Sequence, residues 1–287
     1  MKKRLSVALA VFNEEANIVD CLTSVKDIAD EIVIVDGGST DRTVELVKKF
    51  QVTLIQTDNP PIFHINKQKA IDASTGDWIL QLDADERVTP ALGQEIVSVI
   101  NMSDNEQSEY EEHLPQRNLF LRHQKLIEAR DKVGTPSGPY VAFYLSRLNY
   151  FLGTYLKHGG VYPDGVIRLI KKGKARLPCN DVHELMEVDG RVGWLSENLL
   201  HRDSPTFKRY LERNNRYINL MVREYREKNM ERDVVHFVEH VIVKPVWWFL
   251  LTTFRHKGIL DGYQGVVFSF FSALRFPRAY LRYLSAK

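Results

Sequence analysis

The chain has 287 residues, 44% hydrophobic and 26% charged, an ordinary globular balance with room for one large domain or two modest ones. Its formal net charge of +2 excludes the strongly basic signature of a nucleic-acid binder, and no nucleic acid is expected as a partner. The two cysteines, Cys21 and Cys179, are far apart and in no metal-ligand spacing, so a reducing compartment is the default expectation.

The opening stretch "MKKRLSVALAVFNEE" begins with bases, but its apolar run, Leu5 to Phe12, is short and leads into Asn-Glu-Glu rather than small residues. It reads as a first strand, not a secretion signal. Glu15 to Lys26 follows with helical spacing of Ile18, Val19, Leu22 and Val25, and "EIVIVD" is a short β-branched strand. "STDRTVELVKKF" begins with capping residues and continues amphipathically. "VTLIQT" predicts a strand, His64 to Ala73 a helix, and "DWILQL" another strand. In "TPALGQEIVSVI", Thr89 is placed to cap a helix whose first residue is Pro90. Strands alternating with helices predict an α/β fold with a mostly parallel sheet covered on both faces.

Asn101 to Glu112, "NMSDNEQSEYEE", is polar and acidic and reads as a surface connection or mobile loop. From about Tyr140 to His201 short β-rich runs replace the helical pattern. Pro205 to Asn229 reads as a basic helix, and from Val234 the chain is helical and apolar but interrupted by charge. The expected divisions are 1–100 and 101–202 as two halves of one α/β domain, and 203–287 as a helical tail.

Ligands of parallel sheets bind beyond the carboxyl ends of the strands. After the first strand come Asn13 and Glu14. After the second come Asp36, Gly37, Gly38 and Ser39, and after "WILQL" come Asp83, Asp85 and Glu86. Parallel strands would gather these groups at one rim. Asp83 and Asp85 alternate about Ala84 and can turn toward one site, where a hard divalent cation would relieve their repulsion and hold a diphosphate. Asp36 is placed to accept from a nucleoside. A solvated acidic turn is the plainer alternative.

The ordered series "VFNEEANI", "ADEIVIVDGGSTDRTVEL", "ASTGDWILQLDADE" and "VHE…LLH" resembles a family 2 glycosyltransferase, and among these the bacterial subgroup that adds sugars to lipopolysaccharide core. The resemblance implies the GT-A fold, a nucleoside-diphosphate sugar donor (a UDP-sugar by family habit), Mg²⁺ or Mn²⁺, and inversion at the anomeric carbon. It implies that Asn13 and Glu14 begin the nucleotide site and that Asp36 contacts base or ribose. Asp41 becomes the second acid of that motif, Lys67 faces the diphosphate, and Asp83 and Asp85 bind donor and metal. Gln68 departs from the Asn that relatives usually carry after the basic residue.

Inverting transfer needs a base for the acceptor hydroxyl. "CNDVHELME" offers Asp181, Glu184 and Glu187. The family pattern points to Glu184, with Asp181 the other candidate. His201 resembles a position that approaches the metal. Tyr162, in "GGVYPDG", is placed to stack on a sugar ring, and Arg168 either faces an anionic acceptor or packs.

The tail carries Trp247, Trp248, Phe249, Phe254, Phe268, Phe270 and Phe271 among Lys244, Arg255, Lys257, Arg275, Arg278 and Arg282. Neither apolar run reaches the ~18 uncharged residues needed to span a bilayer, so the tail reads as an interfacial surface, with a soluble helical pack as the alternative. The expected partners are therefore a nucleotide-sugar donor, a lipopolysaccharide or other lipid-linked acceptor, and a membrane surface. The expected location is cytoplasmic, peripheral on the inner face of the cytoplasmic membrane. Polyprenyl-phosphate glycosyl transfer and non-catalytic nucleotide-sugar binding are the competing readings. A nucleotidyltransferase is disfavoured because "FNEEAN" stands where its glycine-rich phosphate loop would be.

Overall fold

The structure, a computed structural model, describes residues 2–128, 133–180 and 185–285. The chain divides into two compact units, Met1–Arg147 with Pro163–His201, and Leu148–Tyr162 with Arg202–Lys287. The second strand-rich loop, Leu148–Tyr162, thus folds with the tail rather than with the residues around it.

The first unit opens with β1 (Leu5–Val11), α1 (Ile18–Val25), β2 (Glu31–Asp36), α2 (Thr43–Val47), β3 (Thr53–Gln56), α3 (His64–Ala73) and β4 (Trp78–Leu82). These strands pair in parallel in the order β3-β2-β1-β4. Their side chains alternate between two cores. Leu5, Val7, Leu9 and Val11 of β1, with Trp78, Leu80 and Leu82 of β4, face the core that α1 covers. Ala8 and Ile79 face the core that α3 covers through Ala70 and Ile71. Burial on both faces is why these strands are continuous apolar runs instead of alternating ones.

The chain continues through β5 (Glu86–Val88), α4 (Pro90–Asn101), α5 (Asp104–Glu112), α6 (Arg117–Glu128), β6 (Tyr140–Phe151), β7 (Thr154–Leu156), β8 (Asp164–Lys171), β9 (Ala175–Arg176), β10 (Glu187–Val188) and β11 (Arg191–Ser204). The sheet extends past β4 as β8-β6-β11-β5, and here the pairing is antiparallel. The result is a mixed sheet, parallel in its first half, with helices on both faces. Thr89 caps α4 through the Leu92 N–H with Pro90 in the first turn, as expected from the sequence.

One expectation fails. Residues 104–112 are not a loop but helix α5, closed at its start by a reciprocal cap between Ser103 and Glu106. Its inward positions, Gln107 and Glu111, are polar, so apolar periodicity misses the helix. Gln107 donates to the Val99 carbonyl, and Glu111 accepts from the Trp194 N–H. Helix α6 was not anticipated either; its Phe120 stacks on Trp194 at 4.9 Å.

In the second unit α7 (Phe207–Glu227) packs Ile218, Val222 and Tyr225 against Ala279, Tyr280 and Tyr283. The last two of these helices are α9 (Gly262–Ala273) and α10 (Arg275–Ser285). Between α7 and α9 runs α8, continuous over Val234–Arg255 with two π-helical turns. Its 22 residues are long and apolar enough to cross a membrane by length and composition, which corrects the expectation that no tail segment is. The Lys157 and His158 N–H groups both donate to the Asp261 carboxylate, which holds the glycine turn at Gly159 and Gly160.

Burial lifts the Glu111 carboxyl to about 7, against the stabilising Trp194 N–H. A carboxyl raised in the folded state costs nothing while protonated, and destabilises increasingly as pH climbs from about 4.3, the unfolded value, to 7. Glu111→Gln keeps an oxygen for Trp194. It is expected to match wild type in urea melts near pH 4 and to exceed it by on the order of 1–3 kcal/mol at pH 8.

Candidate active site

The register of the parallel strands brings the candidate residues to one rim. Val11 lies opposite Asp36, and Leu9 opposite Leu82, so β1, β2 and β4 end together. Asn13 follows in the left-handed region at φ 55°, and its Oδ1 accepts from the Thr40 N–H at 2.8 Å. The Asn13 N–H in turn donates to Ser39 Oγ at 2.9 Å. Asp36 is fully buried and accepts from the Gly38 and Ser39 N–H groups, with Gly38 at φ +81°. The Glu14 N–H donates to Thr43 Oγ1, and Asp41 accepts from the Thr43 N–H and hydroxyl and from the Glu15 N–H. Asn13, Glu14, Asp36 and Asp41 therefore build and brace this rim through backbone contacts. The Asp36 oxygens expected to meet a nucleoside also hold the turn beside it.

Two of the three acids after β4, Asp83 and Glu86, meet three bases, each from a different element. Lys67 of α3 pairs with Asp83 Oδ1. Arg168 of β8 reaches Asp83 Oδ2 at 2.6 Å and Glu86 Oε1 at 2.8 Å, and also donates to Gln81. Arg147 of β6 stands 3.8 Å from Glu86 and pairs with Asp164 at 2.9 Å. Arg168 thus packs against the acid motif, the second of its two expected roles. Glu86 has no solvent exposure, so its charge is met only inside the protein. Burial opposes ionisation of Asp83, but Arg168 and Lys67 outweigh it and hold the carboxyl well below the usual range. The same acids raise Arg168 against the opposing effect of its burial.

Asp85 is in a different state. Its carboxylate remains about a third exposed (31%) and faces His201 Nε2 at 3.4 Å. Burial raises its pKa, the hydrogen bond to His201 lowers it, and the net direction is down. His201 is placed there by the pairing of β11 with β5, where it sits opposite Glu86. An ionised carboxylate beside an imidazole nitrogen, open on one side, is a donor set that fits Mg²⁺ or Mn²⁺. Asp83, with both oxygens engaged by cations, is not open in the same way.

A cavity of about 330 Å³ adjoins these groups, lined among others by Lys67, Gln81, Arg168, His123, Tyr144 and Asp164. Trp194 backs this region, stacked on Tyr144 at 4.7 Å, and a Cβ at Gly165 would run into its ring. Leu185 and Met186 also line the cavity. Asp181 and Glu184, the expected bases, lie outside the described residues, as does His183. Gln68 is structural: it accepts from the Leu177 N–H and donates to Asp72. The roles of Arg147 and Asp164 were missed by the sequence reading, because nothing in "LSRLN" or "YPDG" marks a residue that faces acids far along the chain.

Because its folded pKa is depressed, Asp83 stabilises the protein above its unfolded value of about 3.9, and that contribution disappears as pH falls through the folded value. Asp83→Asn is expected to lose less stability than wild type between pH 5 and pH 2, measured by denaturant unfolding at each pH.

Residues 6–131 match the model of the family described as Glycosyl transferase family 2. The chain is 27% identical over 291 residues to the lipopolysaccharide core biosynthesis glycosyltransferase LpsC of Rhizobium meliloti, covering 96% of this chain and 92% of that protein. It is 24% identical over 292 residues to an uncharacterized glycosyltransferase of Rickettsia typhi, covering 99% and 89%. Among solved structures, glucosyl-3-phosphoglycerate synthase from Mycobacterium tuberculosis overlaps 36% of this chain and 41% of its own, at 22% identity and a TM-score of 0.32, too partial a likeness to bear on the site. The part of the chain that matches family 2 glycosyltransferases, residues 6–131, holds the whole rim from Asn13 to Glu86.

Proposed function

We propose that the protein transfers a sugar, with inversion, from a nucleoside diphosphate, by family habit a UDP-sugar, to a hydroxyl of lipopolysaccharide core or another lipid-linked glycan. The observation that carries the reading is the pair Asp85 and His201 at 3.4 Å, the carboxylate a third exposed, beside an Asp83 already neutralised by Lys67 and Arg168. A divalent cation bound by Asp85 and His201 would supply charge stabilisation to the departing diphosphate. The protein's own groups do the rest. Lys67, at the cavity wall, offers further positive charge where the leaving group gathers its own. The Asn13 to Ser39 rim shapes the space for the nucleoside. Glu184, or Asp181, takes the proton from the attacking hydroxyl as it displaces the nucleotide from C1. Support for a lipopolysaccharide acceptor comes from the likeness to LpsC over nearly the whole chain.

The second unit supports work at a lipid surface. Along α8, Val235, Val238, Ile242, Val246, Trp247, Leu250 and Phe254 are exposed, while His240, Thr252 and Thr253 are buried. That is an apolar stripe turned outward, and it ends in exposed Arg255, His256 and Lys257. Apolar surface flanked by bases is suited to an anionic bilayer, on the inner face of the cytoplasmic membrane under this reading.

With Mn²⁺ and a panel of sugar nucleotides, wild type is expected to release nucleoside diphosphate, Asp85→Ala to lose at least about 100-fold of that rate, and His201→Ala about tenfold. No release with any donor would sink the reading. Glu184→Gln is expected to abolish transfer to a hydroxyl acceptor; unimpaired transfer would favour a phosphate acceptor, which needs no base. Cosedimentation with anionic vesicles should be lost in Ile242→Glu/Trp247→Glu and weakened by salt.

A further inference from the structure

Asp83, Asp85 and Glu86 place three carboxylates within four residues, and Asp164 adds a fourth through Arg147. The bases that answer them are not equivalent. Arg87 turns its guanidinium to the carbonyls of Ala84, Glu86 and Asn17 and meets none of the four at hydrogen-bond distance. Lys67 reaches Asp83. Arg147 engages Asp164 closely and Glu86 only at 3.8 Å. Arg168 is the one base among the described residues that bonds two of the four at once, with Nη2 at 2.6 Å from Asp83 and 2.8 Å from Glu86, Nε at 3.3 Å from Glu86, and Nη1 on Gln81. A planar fork of donors can do this; an ammonium acts from one point.

We propose that Arg168 is a positioning residue for sugar transfer: by neutralising Asp83 and the buried Glu86 together, it shapes the acid motif and sets how strongly that motif attracts a divalent cation before a donor arrives. This rests on the metal reading of the Asp85 and His201 site given above. With Arg168 in place, both oxygens of Asp83 are shared between two cations, while Asp85 meets only His201 among the contacts above. Without it, Asp83 keeps Lys67 alone, and the acid motif that includes Asp85 carries one more net negative charge. Electrostatics then predicts tighter capture of a bare cation, held by carboxylates in the wrong arrangement.

The test measures Mn²⁺ binding to the full chain by the EPR signal of free Mn²⁺, without nucleotide, alongside donor kinetics. Arg168→Gln is expected to bind Mn²⁺ at least about fivefold more tightly than wild type. At saturating donor and metal its kcat should fall about 100-fold, with a smaller change in donor KM. Adding Glu86→Gln to Arg168→Gln removes one buried charge and should bring Mn²⁺ affinity back toward wild type. Arg168→Lys keeps the charge but not the fork, so its Mn²⁺ affinity should stay within about twofold of wild type while kcat drops about tenfold. Unchanged Mn²⁺ affinity in Arg168→Gln overturns the proposal, as does a raised donor KM with unchanged kcat, which would assign Arg168 to the donor itself. If Arg168→Gln does not fold, a wild-type kcat in Arg168→Lys overturns it instead. Asp85→Ala separates the two claims: Mn²⁺ binding that survives this change sinks the metal reading, whatever Arg168 does.

Discussion

Everything at this site depends on how three neighbouring acids are compensated next to a buried strand. Glu86 is wholly enclosed, and burial alone would favour the protonated form of Asp83. Lys67, Arg168 and Arg147 meet these two acids, and they arrive from α3, β8 and β6. The turn after parallel strand β4 delivers Asp83 and Asp85, and the antiparallel half delivers Glu86 and two of the three bases. Folding of one half against the other is therefore also the assembly of the site. A pair of this kind is weak evidence for stability, since desolvation offsets much of the attraction, but removing one partner leaves a buried charge exposed to its full cost.

The network also divides labour between two aspartates that look alike in sequence. Asp83 has both oxygens held, while Asp85 keeps a third of its surface open and meets a histidine. The difference lies in their partners, since the two side chains are about equally exposed: Asp83 is met by Lys67 and Arg168, Asp85 by His201. On the same rim Asn13, Asp36 and Asp41 spend their polar atoms on nearby backbone groups. Those bonds tie the ends of β1 and β2 to the turns that follow them.

The second unit solves a different problem. Its aromatic residues fall into two classes. Phe151, Tyr210, Phe268 and Phe271 fill an internal cluster, while Trp247, Phe254 and Phe270 face outward. The outward set continues along α8 with aliphatic residues, giving an apolar surface larger than scattered exposed residues account for. The bases at the end of α8 sit where such a surface would meet lipid headgroups.

The sequence by itself determined the parallel half. Apolar runs of four to seven residues, glycine turns and the capping signals at Thr89 and Pro90 act over short range, and no distant partner was needed to read them. It also marked the rim, because polar residues directly following strands have only one edge to occupy. Helix α5 escaped it, since Gln107 and Glu111 are inward-facing polar residues whose partners, Val99 and Trp194, lie outside the helix. Only the tertiary structure decided what compensates the acids after β4. Arg147 and Arg168 stand 61 and 82 residues from Glu86, and no periodicity connects charges across that distance. The same holds for the outward stripe of α8: composition reports that the helix is apolar, but which face is covered depends on what packs against it.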